Sequence, residues 1–151
     1  MDKTIKYEKV INDLSHYFKG YGIGRTAKMS IITSTLSNKF PEWIFCGFYR
    51  VVDEKLLEIG PYQSSIVPCG QIKFSNGVCG LSAREGKSII VDNVNNFDGY
   101  ISCDDQTISE IVVPVFSKNK LIGVLDIDGH LESQFDHTDK EYLEKIVDYF
   151  K

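Results

Sequence analysis

The sequence predicts an α+β fold, a central antiparallel sheet with helices at its N- and C-terminal ends. Apolar residues recur at helical spacing at both ends of the chain. Between them, short β-branched and aromatic segments alternate with turn residues, the pattern of hairpin-connected strands. A chain of 151 residues has the size of one domain around one core. It shows no internal repeat, low-complexity tract or Ser/Pro-rich linker, so residues 1–151 are expected to form a single domain.

Tyr7, Ile11, Leu14 and Phe18 define the first helix, and Met29, Ile32, Leu36 and Phe40 the second. Gly20, Gly22 and Gly24 break the chain between them, and Pro41 ends the second. Trp43–Val52 reads as a strand, Asp53-Glu54-Lys55 as a turn and Leu56–Ile59 as the returning strand. A loop from Gly60 to Gly70 with two prolines follows, then a short strand over Gln71–Phe74 and a turn at Asn76-Gly77. Gly77–Glu85 is predicted helical and Ser88–Val91 extended. The stretch Asp92–Ser109 is long and polar, and a loop of that length inside a compact domain is usually functional. Glu110–Ser117 and Leu121–Asp128 form a hairpin about Lys118-Asn119-Lys120. Asp136 or Thr138 caps the last helix, with Glu141 completing a capping box from Thr138. Its buried stripe is Leu143, Ile146, Val147 and Phe150.

Composition narrows the function. With 42% hydrophobic and 25% charged residues the chain is an ordinary globular one. A net charge of -4 supplies no basic face for nucleic acid and argues against an anionic membrane surface. The N-terminus lacks the apolar stretch of a signal peptide, and no apolar run approaches a membrane span, so a cytoplasmic location is expected.

Four cysteines in such a chain read as buried, metal-binding or redox-active rather than as a secreted disulfide framework. Cys46, between Phe45 and Gly47 in an apolar strand, reads as a small buried hydrophobe. Cys69 follows Pro68 in a loop, Cys79 lies in the first turn of a short helix, and Cys103 is deep in the polar loop. Helix position favours the thiolate of Cys79, whereas Asp104 and Asp105 oppose ionisation of Cys103 if they point inward. These residues alone leave open which thiol attacks. Zinc is disfavoured: no two cysteines lie closer than Cys69 and Cys79, and His16, His130 and His137 are far from them. No metal or cofactor is expected.

Asp126-Ile127-Asp128 ends an apolar strand, so both carboxylates project from one face. The hairpin brings Glu110 beside them, gathering three acids at one sheet edge. Two readings follow from spacing: solvated strand-end charges, or a cluster whose mutual repulsion raises a pKa and which attracts an ammonium group.

Six stretches occur in order: Phe45-Cys46-Gly47-Phe48-Tyr49, Gly60-Pro61-Tyr62-Gln63, Gly77-Val78-Cys79-Gly80, Ile101-Ser102-Cys103-Asp104, Ser109–Pro114 and Gly123–Asp128. Together they resemble the free methionine-R-sulfoxide reductases, single-domain GAF proteins, over nearly the whole chain. The resemblance implies a GAF-like fold, a homodimer, free methionine-R-sulfoxide as substrate and thioredoxin as reductant. It makes Cys103 the nucleophile, Cys69 the principal resolving cysteine and Cys79 a second thiol for disulfide exchange. Glu110, Asp126 and Asp128 match the carboxylates that hold the substrate, and Phe45 and Tyr49 are expected beside it. Phe45 stands where the family usually has Trp, with Trp43 expected on the same side of the strand one pleat away. Ser102 replaces Ala, and Gly129-His130 after the Asp pair is unusual. The rival readings are a ligand-sensing GAF module without catalysis and an interaction protein with an oxidation-sensitive loop.

Overall fold

A computed structural model describes residues 2–20 and 22–151. Helices α1 (Lys3–Tyr17) and α2 (Arg25–Lys39) open the chain, followed by strands β1 (Phe45–Asp53), β2 (Leu56–Ser64) and β3 (Gln71–Lys73). Helix α3 (Gly77–Glu85), strands β4 (Ile89–Val91), β5 (Ser109–Ser117) and β6 (Lys120–Gly129), and helix α4 (His137–Val147) complete it. The strands form one antiparallel sheet in the order β3-β2-β1-β6-β5-β4. No helix among the described residues is long and apolar enough to cross a membrane.

Period-two alternation divides the sheet into two faces with different jobs. Cys46 and Phe48 of β1, Leu125 and Ile127 of β6, and Ile111, Val113 and Val115 of β5 pack with the inner stripes of α1, α2 and α4. Phe45 and Tyr49, Val124, and Val112 point the other way and pack with α3 and Val94. The sheet therefore has a helix face and a site face. Cys46 is 1% exposed on the helix face, the buried hydrophobe its context predicts.

Four local expectations change. Strand β2 runs to Ser64, through Gly60-Pro61, where a loop was expected. The pairing with β1 shifts register between Gly47/Tyr62 and Tyr49/Ile59, so Pro61 sits at a bulge, where its missing N–H removes no regular ladder bond. The turn after β5 contains only Lys118 and Asn119, with φ of 49° and 63°, and Ser117 pairs with Lys120. That is the mirror-image turn suited to strand twist. The capping box of α4 is Asp136 with Asp139, not Thr138 with Glu141. Asp139 is drawn inward because its carboxylate also accepts from Tyr7 Oη at 2.7 Å and Lys3 Nζ at 2.7 Å. Trp43 precedes β1, so the strand's alternation does not extend to it. Its ring stacks on Phe40 at 4.2 Å and meets Phe135 on the helix face, away from Phe45.

Candidate functional site

The site face supports one small cavity. All eight predicted site residues line it: Cys69, Cys79, Cys103, Glu110, Asp126, Asp128, Phe45 and Tyr49. Its floor comes from three adjacent strands. Glu110 of β5 pairs directly with Asp128 of β6, and Asp128 and Asp126 face Phe45 and Gly47 of β1. Gly47 is needed there, because a Cβ would lie 2.7 Å from the Phe45 ring and 2.5 Å from Tyr62 Cβ. Without one, the Phe45 ring folds over the strand and stacks with Tyr62 at 5.8 Å.

The three carboxylates are not solvated strand ends. Glu110 is 5%, Asp126 5% and Asp128 8% exposed. No ion pair to any of them forms among the described residues, and no Lys, Arg or His lines the cavity. Atoms of Glu110, Asp126 and the Cys79 sulfur lie within 4.8 Å of one another, while the Thr107 hydroxyl donates to Asp104. One oxygen of Asp126 and one of Asp128 are buried without any partner. Burial first, then mutual repulsion, pushes the Glu110 and Asp128 carboxyls well above the usual range. Burial raises Asp126 less, to about 6, because Glu110 and Cys79 hydrogen-bond its carboxylate. The cluster thus retains protons near neutral pH and presents uncompensated negative potential to anything that enters.

Above this floor Cys69 and Cys103 are joined by a disulfide, 34 residues apart with Cα atoms at 5.4 Å. Cys103 lies on an exposed loop and Cys69 is half-buried, so the bond reaches the surface. Tyr49 supports it from below, its hydroxyl donating to the Cys69 carbonyl at 2.9 Å. The Tyr49 tip therefore holds the Cys69 loop as well as lining the cavity. Gly77 opens α3 with a φ of 65°, in the left-handed region where glycine is unstrained, and a Cβ there would lie 3.2 Å from the Ile101 side chain.

Cys79 departs from expectation. Its position in the first turn of α3 favours a thiolate, but the side chain is only 3% exposed and faces the carboxylates. Burial, followed by the charges of Asp126, Glu110 and Asp128, pushes its thiol well above the ordinary value. The tertiary field overrides the helix end.

Tyr100, Ile101 and Asp104 also line the cavity without having been singled out for it. Asp104 is not a solvated loop charge: its carboxylate accepts from the Gln106 N–H at 2.7 Å, the Thr107 N–H at 2.8 Å and the Thr107 hydroxyl. The signal was present as Asp104-x-x-Thr107, a side chain that caps its own following turn. Asp105 is exposed. In the disulfide form the cavity encloses about 40 Å³. That is room for a water or a small ion beside the carboxylates.

A GAF domain model matches residues 28–150. The chain is 34% identical over 150 residues to the free methionine-R-sulfoxide reductase of Escherichia coli (strain K12), covering 97% of this chain and 87% of that protein. It is 45% identical over 106 residues to the Saccharomyces cerevisiae protein of the same name, covering 68% of this chain and 58% of that one. The crystal structure of the Neisseria meningitidis free methionine-R-sulfoxide reductase in complex with its substrate superposes with a TM-score of 0.92. It shares 32% identity, with 99% of this chain and 89% of that chain covered.

Proposed function

This chain belongs to the GAF-domain family, among its free methionine-R-sulfoxide reductases, and on that premise we propose that it reduces free methionine-R-sulfoxide using the Cys103 thiol. The observation that carries the proposal is a surface-reaching Cys69–Cys103 disulfide directly over a buried, cation-free cluster of three acids.

The chemistry follows from that arrangement. Cys103 in its reduced form attacks the sulfoxide sulfur while a retained carboxyl proton goes to the sulfoxide oxygen. The S–S bond formed by the attack and the S–O bond then break as the hydroxyl passes to Cys103 Sγ, so methionine leaves and Cys103 is a sulfenic acid. The Cys69 thiol then attacks Cys103 Sγ, expelling water and forming the disulfide. A thioredoxin-type dithiol reopens it by exchange, supplying the two electrons. Cys79 serves as a second thiol for exchange within the pocket. Glu110, Asp126 and Asp128 bind the substrate's α-ammonium, so a peptide-bound residue, which lacks that charge, is refused. Phe45 and Tyr49 flank the substrate's apolar part. The chain acts as one domain in a cytoplasmic homodimer with no resident metal or cofactor.

Single-turnover assay of the reduced protein tests this reading. Wild type releases about one methionine per site, Cys103→Ser releases none because a hydroxyl is a poor nucleophile at neutral pH, and Cys69→Ser releases one and then stalls with thioredoxin. Methionine release by Cys103→Ser, or equal rates on free substrate and its N-acetylated analogue, would overturn it.

A further inference from the structure

The floor of the cavity combines ligand types that an ammonium group does not require. The Cys79 sulfur, a Glu110 oxygen and an Asp126 oxygen all lie within 4.8 Å of one another and are all buried. They come from three different elements, α3, β5 and β6, so the surrounding fold fixes each one independently. A tetrahedral ion with bonds of about 2.0–2.3 Å needs its ligand atoms within about 3.8 Å of each other. A contraction of at most about an ångström therefore completes three of four positions, and a water fills the fourth. The unpartnered oxygens of Asp126 and Asp128 supply a second, independent reason to expect a cation here, since a buried acceptor without a donor is rare and costly. The cavity has room for one ion with a water.

We propose that Cys79, Glu110 and Asp126 form a binding site for a single zinc-class divalent ion, which competes with the substrate's ammonium group. The sulfur ligand selects borderline-soft ions of the zinc and cobalt type over magnesium or calcium, which take oxygen alone. The ion is an inhibitor rather than a resident cofactor. It blocks the cavity on the floor while leaving the Cys69–Cys103 pair untouched. Only the competition rests on the functional reading above; the binding itself does not.

Cobalt is the probe, because a cobalt–thiolate bond gives a charge-transfer absorption that oxygen ligands do not. In the disulfide form Cys79 is the one free cysteine of the pocket, and Cys46 faces the opposite side of the sheet. One equivalent of Co²⁺ is expected to produce the band. Zn²⁺ should abolish it and excess Mg²⁺ leave it. Cys79→Ser should lose the band, Cys46→Ser keep it, and Asp126→Asn, should Cys79→Ser not fold, weaken Co²⁺ binding at least tenfold. No band with wild type, a band that survives Cys79→Ser, or equal displacement by Mg²⁺ would overturn the proposal. During turnover Zn²⁺ should raise KM for free methionine-R-sulfoxide with kcat unchanged, and unaltered KM at saturating Zn²⁺ overturns the competition. A protein that shows the band but reduces no sulfoxide refutes the functional reading alone, and active protein without the band refutes this one alone.

Discussion

Each face of the sheet buries carboxylate, and the two faces treat it differently. On the helix face Asp139 is 1% exposed and completely answered: Tyr7, Lys3 and the Asp136 N–H all donate to it. It joins α1 to α4 and caps the latter. On the site face Glu110, Asp126 and Asp128 are equally dry, share protons among themselves and leave two oxygens without partners. A buried acid with a full set of donors is part of the scaffold. One without them is an unfilled demand, and a ligand with the opposite charge can meet it.

The comparison breaks most easily at Asp139. Asp139→Ala leaves the buried Tyr7 hydroxyl without its acceptor and removes half of the capping box, while Lys3 keeps Asp136 at 3.0 Å, so it should destabilise by about 2–4 kcal/mol. Activity per folded molecule should stay unchanged. Chemical unfolding with activity normalised to native protein checks both halves, and lost activity at constant stability would erase the distinction between the faces.

Acid pH should act oppositely on the two faces. Asp126 has a folded pKa raised from 3.8 to about 6, so the native state holds its proton where the unfolded chain has released it. Its contribution to stability is complete below about 3.8 and lost as pH rises through about 6, a displacement equivalent to roughly 3 kcal/mol. Glu110 and Asp128, also raised, extend the loss upward. Asp136 is lowered, chiefly through Lys3 working against its own burial, so its contribution disappears only below about pH 4. Melting should therefore occur at higher temperature at pH 5 than at pH 7.5, and Asp126→Asn should flatten that slope. A melting temperature that rises from pH 5 to 7.5 contradicts the assignment.

Asp126→Asn or Asp128→Asn should lower kcat/KM about ten- to hundredfold, the equivalent of one charge-assisted hydrogen bond of roughly 1.5–3 kcal/mol. Neither should lower stability, because each replaces a buried acid that the fold leaves short of hydrogen-bond donors. A destabilised but fully active Asp128→Asn would place that residue with the scaffold.

The smallest effect belongs to Tyr49→Phe. Loss of its bond to the Cys69 carbonyl should slow disulfide closure by roughly fivefold, about 1 kcal/mol, with the first methionine released at the wild-type rate. Rapid quench with thiol counting separates the two steps, and equal slowing of both would mean that the hydroxyl, and not only the ring, serves substrate reduction.

The faces also differ in how readable they were. Apolar runs marked β5 and β6 as buried strands, and strand alternation sets Ile111, Val113, Leu125 and Ile127 on the helix face. The same alternation put Asp126, Asp128 and Glu110 on one edge, but it could not say whether they were wet or dry. That depends on what covers them, and the cover is α3 and a loop remote in sequence. The Cys79 acidity was misjudged for the same reason: the helix end is a local property, while desolvation is not. Pro61 looked like a loop residue because a bulge carries no composition signal of its own. Asp139 escaped notice as a buried residue because its partners Lys3 and Tyr7 lie more than 130 residues away.

The 34-residue separation between Cys69 and Cys103 gives the proposed catalytic cycle a mechanical side. Closing a loop of that length withdraws conformational freedom from the unfolded chain worth roughly 4 kcal/mol on the polymer model. Every turnover would then switch the molecule between a laced state and a slack one, a difference comparable with much of a small domain's total stability. A cell that runs short of reductant would accumulate this protein in its toughest form, resistant to unfolding until electrons return.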